Sequence, residues 1–183
     1  MVDAQTVGVL VTATSVTIAA IYYIFTLRTN QRNLKMNLET RRLGLVDSII
    51  TRTHTTEWTR NILELLSYEW TDYEDFERKY GSDNNVESAA IRYTIWNSLN
   101  QIGVMVMKGI IEDEDIYNAG LQAGSIFLWE KYKPIIKEVR RRYQGQDYLT
   151  GFEFLVGELL RIVKERDPTY VFPETLGRYV PDK

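Results

Sequence analysis

Hydrophobic and polar positions along this chain fall into three regimes. In the first, Val7 to Leu27 (VGVLVTATSVTIAAIYYIFTL) carry no charge. At about 1.5 Å rise per residue, a helix over them spans roughly 30 Å, the depth of a bilayer's hydrocarbon core. Thr12, Thr14, Ser15, Thr17 and Thr26 dilute the run, but hydroxyls in such a helix can bond back to their own backbone. A cleaved signal segment would want basic residues before a shorter apolar core and a small-x-small site after it. Met1 to Thr6 hold no Lys or Arg, and the run ends Tyr-Tyr-Ile-Phe-Thr-Leu-Arg. The pattern therefore predicts a transmembrane helix.

The second regime, Arg28 to about Thr53, stays helical without Pro, and Leu34, Leu38, Leu45 and Ile49 form a one-sided stripe. It predicts a stalk continuing out of the membrane helix, with Gly44 as its weak point.

The third regime is a series of amphipathic segments. Thr56 is placed to cap a helix carrying Ile62, Leu63, Leu65 and Leu66, and Thr71 to cap the short acidic TDYEDFERKYG, which ends at Gly81. A long helix from about Val86 to Lys108 keeps Ile91, Ile95, Leu99, Ile102 and Val106 on the helical period, with Gly109 to stop it. Asp113, Glu114 and Asp115 open the next helix, which carries Ile116, Gly120, Ala123 and Phe127 and runs toward Arg140, Arg141 and Arg142. Pro134 is expected to kink or split it. After a loop at 144–147, a last helix from Tyr148 to Glu165 buries Phe152, Leu155, Val156, Leu159 and Ile162, and Asp167-Pro168 ends it.

No stretch alternates with period two long enough to argue a sheet. The predicted fold is all-α: an N-terminal transmembrane helix followed by a bundle of about five helices. The implied division is 1–28 for a short outer N-terminus and the span, 29–54 for the stalk, 55–167 for the bundle and 168–183 for an irregular tail.

Charge gives the span a direction. Arg28, Arg32, Lys35, Arg41 and Arg42 follow it and nothing basic precedes it, so the positive-inside rule puts the N-terminus outside and the bundle in the cytoplasm of a cell-membrane protein. Tyr22 and Tyr23 fall at the inner interface. The same five cations can touch anionic lipid, each contributing on the order of 1 kcal/mol near the surface. Ala4, Gly8, Thr12, Ser15 and Ala19 recur along one helical face, where small side chains let a second helix approach closely.

Composition removes whole classes of chemistry. With no Cys there is no disulfide, thiolate nucleophile or thiolate metal site. One His, His54, excludes a site needing two imidazoles from one chain. A net charge of −3 and a short Arg140–Arg142 run flanked by acids give no case for a nucleic-acid partner. A hydrophobic fraction of 44% with only four prolines places most of the chain in the folded class.

The segments IRYTIWNSLNQIGVMVMKGIIEDEDIYNAG, LWEKYKPIIKEVRRRY and YLTGFEFLVGELL resemble an uncharacterised family of small bacterial and archaeal membrane proteins. Their shared features are the Gly109–Asp113 turn, Trp129, Pro134 and the aromatic-rich Phe152–Leu160 helix. The resemblance implies a membrane helix before a helical domain of unknown function. It implies no catalytic residue.

The remaining candidates for chemistry are sparse. His54 has only Glu57, three residues on, as an orienting carboxylate. Asp72, Glu74, Asp75 and Glu77, and then Glu112 to Asp115, lack calcium-loop spacing and are explained as first-turn helix acids. No phosphate loop, nucleophile elbow or dinucleotide fingerprint occurs. No catalytic, cofactor or metal residue is assigned, and no cofactor is expected. Trp58, Trp70, Trp96 and Trp129 suit either a core or a binding face. The leading expectation is a membrane-tethered, non-enzymatic interaction module or accessory subunit, homo-oligomeric or bound to a protein partner in the lipid. The alternative is a sensing module coupled through the stalk. An enzyme using carboxylates ranks third.

Overall fold

The structure, a computed structural model, describes residues 3–172 apart from the side chains of Ala4, Thr6 and Gln144. The described residues form seven α-helices and one π-helical segment, with no strand among them, so the fold is all-α as the periodicity predicts. By contacts the chain divides into two compact units, residues 1–44 and 45–183. Most of the predicted tail lies outside the described residues.

The first helix, α1, covers Ala4–Thr53 and passes through Gly44 without a break. Within the first unit its apolar side chains are exposed, Val9, Val16, Tyr22 and Phe25 among them. Each of the five Ser and Thr hydroxyls in the apolar run donates to a carbonyl four residues earlier, as in Thr12 Oγ1 to Gly8 O at 2.9 Å and Ser15 Oγ to Val11 O at 2.8 Å. This satisfies the hydroxyls without any partner helix.

The second unit holds the core. Ile49 is buried there, and α2 (Thr56–Ser67) follows. The cap of α2 is Thr55 rather than the expected Thr56. Its side chain accepts from Trp58 N at 3.0 Å. Next, α3 (Tyr73–Tyr80) is capped by Asp72 rather than Thr71. Asp72 accepts from Asp75 N at 2.8 Å while Asp75 accepts from Thr71 N at 3.1 Å, so one first-turn donor and the donor just before the cap are both satisfied. The longest helix of this unit, α4 (Val86–Met107), ends as predicted at Gly109. Gly109 N donates to Val106 O and Ile110 N to Met105 O, a Schellman closure.

The expected helix from Asp113 to Arg140 is three elements: α5 (Asp113–Asn118), α6 (Gln122–Val139) and a π-helical segment over Arg140–Gln144. The break falls at Gly120, whose φ of +76° ends α5. That conformation disfavours any residue with a Cβ. Pro134, expected to kink or split the helix, sits inside α6 without splitting it. Its ring lies on the exposed side, while Lys131, Tyr132, Ile135 and Ile136 hold the opposite face in the core. The last helix, α7 (Thr150–Arg166), buries all five residues of its predicted stripe.

The most extensive helix pairing is α4 against α7, and a close backbone crossing makes it possible. A Cβ on Gly103 would lie 1.8 Å from Gly151 O, and one on Gly151 would lie 2.4 Å from Asn100 O. Asn100 Oδ1 also accepts from Phe152 N at 3.1 Å, satisfying an orphan donor at the start of α7. Helix α6 packs on α2 and α7, α5 on α7, and α3 on α4. Trp70, Phe76 and Trp96 surround Tyr132, with ring centroids 5.0, 6.1 and 5.2 Å from it.

Candidate functional site

The residues chosen from sequence for membrane contact lie on α1. Gly8, Thr12, Ser15 and Ala19 are exposed, and a Cβ on Gly8 would meet nothing within 4 Å. Ala4 is helical, and its side chain lies outside the described ones. Arg28, Arg32, Lys35 and Arg41 are exposed, and Arg42 pairs with Glu39 at 3.0 Å. Helix α1 is long and apolar enough to cross a membrane, a property it shares with signal sequences.

His54 is exposed between α1 and α2, and among the described residues nothing joins it to Glu57. It borders an open groove with Thr59, Leu63 and Ser67, and a hollow of about 230 Å³ with Trp58, Leu99 and Ser125. No carboxylate–imidazole pair is assembled at either place.

The acidic clusters have structural employment. Glu112 and Asp115 form the capping box of α5, Asp113 pairs with Arg161 at 2.5 Å, and Glu114 pairs with Arg166 at 2.5 Å. In the other cluster, Asp72 caps α3, Asp75 pairs with Lys79 and Arg78, and Glu74 pairs with Arg142 at 2.5 Å. Arg141 and Arg142 also bind Glu138 and hold its carboxyl down at about 2.

Two buried cations escaped the sequence reading. Lys131, only 2% exposed, reaches from α6 to the end of α2. Its Nζ donates to Leu66 O at 3.0 Å and Tyr68 O at 2.6 Å, and stands 4.8 Å from the Trp70 ring centre. The neighbouring Tyr132 hydroxyl donates to Leu65 O at 2.8 Å. The last carbonyls of α2 are thereby satisfied by adjacent side chains of another helix, an answer to the orphan-acceptor problem of helix ends. Burial pushes the Lys131 ammonium down to about 8.

Arg92 is the second buried cation, also 2% exposed. Its Nη1 donates to Tyr80 O at 2.6 Å. Its guanidinium carbon lies 4.8, 5.1 and 5.5 Å from the ring centres of Phe76, Tyr93 and Trp96. Among the described residues no carboxylate pairs with it, and neither its Nε nor the indole Nε1 of Trp96 has a hydrogen-bond partner. Both residues line a cavity of about 330 Å³.

The walls of that cavity come from separate elements. Helix α3 gives Tyr73, Phe76 and Glu77, and the loop after it gives Ser82 and Asp83. Helix α6 gives Ile135 and Val139, the π-helical segment gives Tyr143, and Tyr148 precedes α7. The π segment is held by Arg140, whose Nε donates to Tyr148 O and Nη1 to Glu153, both at 2.7 Å. Such segments concentrate at functional sites. Burial raises the phenol of Tyr148 to about 12, and burial with the nearby Glu77 carboxylate raises that of Tyr73.

One signal could have found these cations. Arg92 falls four residues before Trp96 and seven before Leu99, and Lys131 falls three after Leu128 and four before Ile135. Both sit on the apolar period of their helices, where a charge needs a reason. Gly103 and Gly151 carry no comparable signal, because their need is created by a partner helix distant in sequence.

No curated protein and no solved structure matches the chain. Residues 11–159 match the family described as "Domain of unknown function (DUF4760)". That match spans most of α1 and the bundle as far as Leu159 of α7, and the chain belongs to this uncharacterised family.

Proposed function

We propose that this protein is a membrane-tethered, non-enzymatic helical interaction module that self-associates or docks on a membrane complex through α1. The observation that carries the reading is the exposure of α1's apolar run, Val7 to Leu27, whose hydroxyls are already satisfied within the helix. An exposed charge-free face of that length needs lipid or protein around it. Gly8, Thr12, Ser15 and Ala19 form the approach face, and the five cations after the span set its direction, with the bundle in the cytoplasm. The reading places the protein in a prokaryotic cell membrane with a single span.

The chain has no Cys, so single-cysteine scanning starts from a clean background. In native membranes, cysteines at Gly8, Thr12 or Ser15 should form disulfide-linked dimers, whereas Leu10 and Thr17, on other faces, should not. Protease added outside sealed cells should leave the bundle intact. A chain that cross-links at none of these positions, and is monomeric with no co-purifying subunit in mild detergent, would overturn the proposal.

A further inference from the structure

The geometry points to a second function within the bundle: the Arg92 cavity is a binding site for a small monoanionic carboxylate, with its carboxylate on the guanidinium and its apolar body against the aromatic wall. The inference is independent of α1 and of self-association.

The buried cation is the first support. Taking a guanidinium out of water is costly unless an anion or several acceptors compensate it. Arg92 has one carbonyl acceptor and three aromatic faces, and no carboxylate pairs with it among the described residues. Its Nη1 is engaged by Tyr80, and its Nε is buried without a hydrogen-bond partner. A guanidinium edge matches the two oxygens of a carboxylate.

The setting is the second support. A cavity of about 330 Å³ lies within the range of small-ligand sites, and its lining is more polar than apolar, with the rings of Phe76, Tyr93 and Trp96 beside the guanidinium. Here the unpartnered donors of Arg92 and Trp96 occur in residues of one cavity. Tyr73 and Tyr148 add phenol hydroxyls to the lining.

The same lining restricts the ligand's charge. Glu77 and Asp83 border the cavity, and a second negative charge would meet them as like charges. A singly charged acid is compatible with one buried guanidinium, whereas a dianion such as a phosphate monoester is disfavoured.

The test uses the full chain in mild detergent, with benzoate as the probe, benzamide as its neutral counterpart and phenyl phosphate as the dianion. Binding is followed by intrinsic tryptophan fluorescence, because Trp96 is in the lining. Benzoate should give a saturable change, with benzamide and phenyl phosphate at least about tenfold weaker. Arg92→Gln should weaken benzoate at least about tenfold. Arg92→Gln could instead unfold, so Ser82→Trp, at an exposed loop position bordering the cavity, is the second variant. It should fill the space, keep the far-ultraviolet circular dichroism and abolish the response. No saturable response to benzoate, equal binding of benzamide, tighter binding of phenyl phosphate, or unchanged affinity in a folded Arg92→Gln or Ser82→Trp chain would each overturn the assignment.

Discussion

Gly103 and Gly151 lie where α4 and α7 cross, and a methyl group on either would enter space held by the backbone of the other helix. The atom in the way is backbone in both directions, Gly151 O for Gly103 and Asn100 O for Gly151, so no rotamer change can make room. Gly103→Ala must push the helices apart and loosen the surrounding Leu99, Phe152 and Leu155 layer. The expected cost is at the top of the overpacking range, about 3 kcal/mol. Gly157 is the control: it is exposed in the same helix as Gly151, with nothing within 4 Å of a Cβ. Gly157→Ala should stabilise by about 0.5–1 kcal/mol through helix propensity. Urea midpoints at constant slope measure both. A Gly103→Ala chain as stable as the parent would show that the crossing is not a tight one.

At the scale of elements, α2 depends on α6 for its C-terminal end. Lys131→Met should leave the Leu66 and Tyr68 carbonyls short of a donor and cost about 1–3 kcal/mol. The pH dependence carries a second signature. The folded-state value for Lys131 is lowered from 10.5 to about 8, so between these the unfolded chain binds more protons and stability rises with pH. Below about 8 the burial cost is present in full. Tyr132, raised well above its ordinary value by burial, acts oppositely as pH passes the usual tyrosine range, so the clean window is pH 8 to 9.5. The parent should gain stability across it in urea titrations, and Lys131→Met should not. A parent profile flat in that window would mean that the two carbonyls hold the ammonium charged. These side chains also show what periodicity could reveal. The stripe of α7 and the closure at Gly109 were readable because apolar period and stop signal coincide. The break at Gly120 was not, because the acidic start and the later apolar positions fit one continuous helix equally well. Pro134 misled for a related reason: its cost is local, while the buried face around it is set by tertiary packing. The long apolar N-terminal helix was legible from length and the absence of charge, but the Arg92 cavity needed α3, α4, α6 and the π segment brought together.

For the whole molecule, the distribution of buried residues separates two kinds of apolar surface. Every buried core residue lies at Ile49 or beyond, whereas the apolar side chains of Val7 to Leu27 are exposed along the helix. The first set forms the core of the unit that begins at residue 45, and the second set is left exposed in the other unit. A chain beginning at Leu45 should therefore fold in aqueous buffer, unfold cooperatively and keep its Tm within a few degrees of the full chain in detergent. It should also be released entirely into the supernatant on cell lysis, while the full chain resists alkaline carbonate extraction. Circular dichroism melts and fractionation read the two halves of this expectation separately. A shortened chain that aggregates or melts without cooperativity would show that residues before 45 complete the core. A full chain stripped from membranes by carbonate would show that its long apolar helix is covered by protein rather than by lipid.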